Sequence, residues 1–211
     1  LRCAEQIKVN LGYMKQKICM VGLASGLVLG NLGFTHCSIE EVGVLRSIPN
    51  ISIVVPSDPF ELFKTLQESI KYKNSLYIRL TAGANSKIIN SKDYKFKIGK
   101  AIEIMPGNDV AIISCGNIIS NCIDAALDLR KKKISCSVIN MHTIKPVDKK
   151  KILELSKKFK LIVTVEEHNI IGGLGSAVAE VLSSEINITK LIRLGVNDYY
   201  SSGGSLSLIH I

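Results

Sequence analysis

Apolar residues in this chain alternate between two patterns, a three-to-four spacing and short unbroken runs. In residues 1–14, Ala4, Ile7, Leu11 and Met14 recur every three or four positions, which predicts a helix with those residues on one face. Residues 17–23 are an apolar run and predict a buried strand. A glycine-rich stretch, 22–33, follows and ends in Thr35-His36. Ser38 with Glu41 three positions on predicts a capping box opening a helix to about Ser47. Residues 51–55 predict a second strand. In Pro56-Ser57-Asp58-Pro59, Asp58 suits an N-cap and Pro59 the first helical position. That helix carries Phe60, Phe63, Leu66 and Ile70 along one side, and residues 76–80 predict a third strand. From Thr81 to Lys97 no period is sustained, and Gly, Asn, Ser and Lys mark a linker.

Beyond it the rhythm is cleaner. Strands are predicted at 110–114, 134–140, 161–165 and 188–194, with helices at 118–131, 147–159 and 173–182 between them. Strands and helices of these lengths in alternation need crossover connections, hence parallel pairing with helices on both faces. The expected architecture is therefore α/β: two consecutive, mostly parallel-sheet units, at 1–80 and 99–211, joined by a linker at 81–98. Three strands make a thin sheet, so further strands are expected upstream of Leu1.

Composition narrows the class. A formal charge of +9 raises nucleic acid as a partner. The lysines, however, gather at helix ends and in connectors, as in Lys131-Lys132-Lys133 and Lys149-Lys150-Lys151. Aromatics at 5% supply a poor stacking platform. A solvated basic surface without nucleic acid is the expectation. The most apolar stretch, 18–28, is interrupted by Gly22, Ser25 and Gly26, so no membrane span is expected. Six cysteines show neither paired nor metal-ligand spacing; Cys19, Cys115 and Cys136 fall in apolar runs, as buried thiols do. A reducing, cytoplasmic setting is expected.

Ligands of open α/β sheets gather at the carboxyl ends of strands. The loop 22–33 leaves one such end and leads to His36, which can exchange protons near neutral pH. On spacing alone, an active histidine and an exposed connector histidine are equally well supported. Glu166, Glu167 and His168 end another strand, and Gly172-Gly173-Leu174-Gly175 follows. Val178 breaks any dinucleotide fingerprint there. A structural hydrogen-bond cluster is the preferred reading of these acids.

Several motifs together are more specific. Gly33-Phe34-Thr35-His36, Ser38-Ile39-Glu40-Glu41, Leu45-Arg46-Ser47-Ile48-Pro49-Asn50, Val55-Pro56-Ser57-Asp58 and Tyr77-Ile78-Arg79-Leu80 resemble the latter half of the transketolase pyrimidine-binding domain. Asn140-Met141-His142-Thr143-Ile144-Lys145-Pro146 and Val163-Thr164-Val165-Glu166-Glu167-His168 resemble the transketolase carboxyl-terminal domain. The resemblance implies transfer of two-carbon ketol units between sugar phosphates, with thiamine diphosphate and Mg²⁺ as cofactors. It makes His36 a catalytic, substrate-contacting residue and Arg79 a phosphate-binding one. It also implies that the catalytic Glu and the aromatics around the aminopyrimidine lie upstream of Leu1. No Gly-Asp-Gly metal motif is present, so a second chain or domain is expected to carry the diphosphate half, in a homo- or hetero-oligomer. Leu32 stands where the family often has an acid, Ala24 where it has a phosphate-binding His, and 201–211 departs from the family altogether. The same architecture admits 1-deoxyxylulose-5-phosphate synthase, a 2-oxoacid dehydrogenase of the β type, or a non-catalytic dimerisation module.

Overall fold

The chain begins with one α-turn, α1 (Ala4–Gln6), that widens into a π-helix over Ile7–Tyr13. Widening rotates the expected apolar face: Leu11 and Gly12 are buried, but Met14 is exposed. The computed structural model describes residues 2–81, 87–90, 94–184 and 189–200. Leu1, positions 82–86 and 91–93 of the linker, positions 185–188 and the tail 201–211 lie outside the described residues.

The first unit then runs β1 (Cys19–Gly22), α2 (Glu41–Ser47), β2 (Ile51–Val54), α3 (Pro59–Lys71) and β3 (Ser75–Arg79). The second runs β4 (Ile102–Met105), β5 (Val110–Ser114), α4 (Ile119–Lys131), β6 (Cys136–Asn140), β7 (Thr143–Lys145), α5 (Lys149–Lys158), β8 (Leu161–Asn169), α6 (Leu174–Leu182) and β9 (Lys190–Val196). Two sheets form, ordered β1-β3-β2-β7 and β4-β6-β5-β8-β9. Both are parallel except where β7 meets β2 and β4 meets β6. Neither β4 nor β7 is announced by an apolar run. β7 belongs to the second unit yet completes the sheet of the first, so the units share a sheet.

Alternation along each strand sends neighbouring residues to opposite faces. Ala111 and Ile113 join the core holding α5 and α6, whereas Ile112 joins the cluster under α4. Helices therefore cover both faces of the second sheet. The first core is continuous across both units, from Val42 and Leu45 on α2 to Ile152 and Ile162. β1 is an edge strand, half exposed rather than buried, and Cys19 is exposed with it. Cys115 and Cys136 are buried as expected.

α3 packs the opposite way round from its apolar stripe. Asp58 caps it, Oδ1 accepting from Glu61 N–H at 2.8 Å, with Pro59 leading. The side turned inward carries Glu61 and Thr65, both 0% exposed, while Phe63 and Ile70 stand 60% and 75% exposed. The reason is the polar seam below it. Glu61 accepts from Ser57 N–H and Oγ (2.7 Å each), from Asn140 Nδ2 (2.9 Å) and from the Tyr94 hydroxyl. Described parts of the linker are strapped to the same place. Asp58 Oδ2 accepts from Ile89 and Asn90 N–H at 2.8 and 2.7 Å. Among the described residues no helix is long and apolar enough to cross a membrane.

Candidate active site

The glycine-rich loop leaves β1 and folds back on itself. Ser25 N–H donates to Leu80 O at 2.9 Å and Gly26 N–H to Ser38 O at 2.7 Å, which closes the base of the loop. Gly26 has φ 79°, a left-handed value that favours glycine. Inside the loop Leu27, Cys37 and Ile39 bury one another against Phe34 and Val196. The outward side is a short 3₁₀ turn, Phe34–His36, that presents His36 to solvent. Its Nδ1 lies 3.0 Å from Thr35 Oγ1, and among the described residues Nε2 has no partner. An open cleft of about 620 Å³ surrounds it, lined by Phe34, Thr35, Ser38, Glu40 and Tyr200. Tyr200 comes from beyond β9 and meets the Phe34 ring edge-on at 5.4 Å. Both units therefore wall the cleft. Nothing in the sequence pattern singles out Tyr200, because only the fold brings it to the loop.

The helix after the loop starts later than the capping pattern suggests. Ser38 Oγ donates to the Glu41 carboxylate at 2.9 Å instead of accepting a backbone N–H. The carboxylate is drawn inward because its other oxygen pairs with Arg79 Nε. The pair engages Arg79, for which the family resemblance implies a phosphate-binding role. Arg79 is 3% exposed, and its Nη2 donates to Ser38 O (3.1 Å) and Glu167 O (3.0 Å). A guanidinium recognises phosphate through its planar fork, and here Nε and Nη2 donate to internal acceptors. Its contacts join the returning limb of the loop to β8, and Arg79 is not among the described residues that line the cleft. Leu32 is exposed beside the turn, and Ala24 sits in a left-handed conformation at φ 54°.

The usual crevice of the second sheet, at the carboxyl ends of β5 and β6, is filled by the first unit. Gly116 N–H donates to Val55 O (3.1 Å), and Val55 N–H to His142 O (2.7 Å). The cleft at the His36 loop stays open.

Glu166, Glu167 and His168 take partners in separate directions, to α6, to Leu27 and, for His168 Nδ1, to Asn169 O at 2.7 Å. β8 runs to Asn169, past the predicted end at Val165, and carries them in alternating burial. Glu166 accepts from Leu174 N–H (2.6 Å) and Gly175 N–H (2.8 Å), closing the first turn of α6. Gly172 packs so close to α2 that a Cβ would lie 2.8 Å from Gly43 Cα. Burial pushes the Glu166 carboxyl up to about 7, against the pull of those two N–H groups. Since the folded pKa lies above the unfolded value, this group stabilises the fold fully below roughly pH 4.3 and loses that contribution as pH rises through about 7. Unfolding free energy is thus expected to fall across that window, and Glu166→Gln should flatten the slope. Urea titrations at pH 5 and 8 check it; an unchanged slope in the variant counts against the assignment.

Residues 1–86 match the pyrimidine binding domain of transketolase and residues 99–208 its C-terminal domain. The chain belongs to the transketolase family. It is 36% identical to a subunit of the apulose-4-phosphate transketolase of Phocaeicola vulgatus, over 92% of this chain and 62% of that protein. It is 33% identical to a 1-deoxy-D-xylulose-5-phosphate synthase of Desulfitobacterium hafniense, over 87% of this chain but 29% of that one. A solved structure described as a split-gene transketolase, inactive β4 tetramer, superimposes with a TM-score of 0.90 at 31% identity, covering 99% of this chain and 66% of its own. The chain thus spans less than two thirds of the length of either of these curated relatives. Dependence on thiamine diphosphate goes with the transketolase family.

Proposed function

We propose that this chain is part of a thiamine-diphosphate-dependent transketolase that moves two-carbon ketol units between sugar phosphates. The observation that carries the reading is His36: exposed at the tip of a turn whose base is rigidly held, inside a cleft walled by both units. In the transfer, the bond between C2 and C3 of a ketose breaks and the ketol unit joins the aldehyde carbon of an aldose. His36 would hydrogen-bond to the donor sugar and exchange a proton with one of its hydroxyls.

The residues here do not fit the cofactor's diphosphate and Mg²⁺. Among the described residues the cleft lining contains no Lys or Arg, and Glu40 would repel an anion. Among the described residues no group of three or more His, Cys, Asp or Glu could hold a metal ion. We therefore assign the diphosphate, the metal and the cation for the sugar phosphate to a partner chain or domain, in an oligomer. A cytoplasmic setting goes with the free thiols of Cys37, Cys115, Cys122 and Cys136.

Reconstitution tests the proposal. The full-length protein, assembled with a chain carrying the diphosphate domain, should transfer ketol units, and neither chain should do so alone. Residues 1–211 by themselves should bind thiamine diphosphate with Mg²⁺ weakly or not at all in isothermal titration, because a multiply charged anion leaves water only where its charge is neutralised. Micromolar, metal-dependent binding by residues 1–211 would mean the site has been misplaced. Similarity to the synthase favours a second reading, separated by product: that activity would yield 1-deoxy-D-xylulose 5-phosphate.

A further inference from the structure

The second unit reaches into the His36 loop through one side chain. Glu167, on β8, turns its carboxylate to Leu27, whose N–H donates to Oε1 at 2.6 Å. Leu27 is wholly buried, so water cannot substitute for that acceptor. At the neighbouring Gly26, a Cβ would lie 2.6 Å from Glu167 Oε1, so the carboxylate fills the space on which the loop turns. Backbone bonds tie the returning limb to the same strand end. Asn169 N–H donates to Ile39 O at 2.8 Å, and Arg79 Nη2 joins Ser38 O to Glu167 O. The pairing of β8 with β5 and β9 is a matter of backbone. The Glu167 carboxylate is thus spare to the sheet and directed at the loop.

We propose that Glu167 is a positioning residue for His36: by holding Leu27 N–H it sets the loop that carries the histidine, so that the second unit controls geometry in a cleft it only partly lines. This rests on the function proposed above. Without the acceptor, Leu27 N–H is left buried and unpaired, and the loop must shift to relieve it. Positioning residues act steeply, since a displacement of ~1 Å at a reacting group costs on the order of 10²-fold.

The test uses the full-length protein assembled with its diphosphate-bearing partner chain. Glu167→Ala is expected to lower kcat for ketol transfer by roughly tenfold to 10²-fold, with amide hydrogen exchange at Leu27 accelerated. Glu167→Gln, whose amide oxygen can accept the same N–H, should restore most of the rate and the slow exchange. In a His36→Ala background, Glu167→Ala should cost little more, because its effect passes through the histidine. A large effect of His36→Ala with a fully additive loss from Glu167→Ala overturns this proposal alone, as does unchanged exchange at Leu27. Turnover indifferent to His36→Ala overturns the functional reading and this proposal with it.

Discussion

Replacing His36 with alanine should lower kcat/KM for a ketose phosphate by about 10²-fold, the usual scale for one catalytic hydrogen-bonding group. The fold should survive almost unchanged. His36 is exposed, and its one described side-chain partner is the neighbouring Thr35 hydroxyl. The loop's own small core of Leu27, Cys37 and Ile39 does not include it. Loss of turnover with an intact melting temperature therefore separates a substrate contact from a structural one. The measurement is steady-state kinetics and thermal unfolding on the same reconstituted preparation. Near-wild-type turnover would leave the histidine a plain connector residue and remove the observation on which the function rests.

Replacing Arg79 with methionine should be the most damaging single change to stability, by about 3–5 kcal/mol. Removing one partner of a buried ion pair leaves the other uncompensated, and Glu41 is 5% exposed. Two carbonyls, Ser38 O and Glu167 O, lose their donor as well. Replacing both Arg79 and Glu41 by methionine should recover part of the loss, since no isolated charge then remains buried. Denaturant titrations of the single and double variants measure this. Kinetics provide the contrary case. A phosphate ligand would make Arg79→Lys raise KM far more for phosphorylated than for unphosphorylated ketoses. A framework arginine makes the two losses equal. A stable Arg79→Met variant with a selective KM defect would return Arg79 to the substrate.

The repeating order of strand and helix was legible in the sequence because parallel strands covered on both faces read as near-continuous apolar runs, as in Val110–Ser114, apolar but for its last residue. The start of α3 was legible too, since Asp58 and Pro59 act within one turn of their own backbone. His36 could be singled out as a candidate from the glycine-rich loop and the motif around it. The remainder depended on partners far apart in the chain. A period locates the apolar stripe of α3 but not which side meets the core, and the polar seam of Ser57, Tyr94 and Asn140 drew Glu61 inward. β7 is too short to show a run, and its place beside β2 follows from the docking of the two units. Arg79 reads as a free cation until Glu41 is folded against it. Tyr200 meets Phe34 at the cleft and Glu167 takes the buried Leu27 N–H behind it, both from the second unit, because the fold brings distant segments to the loop and a buried N–H demands a partner.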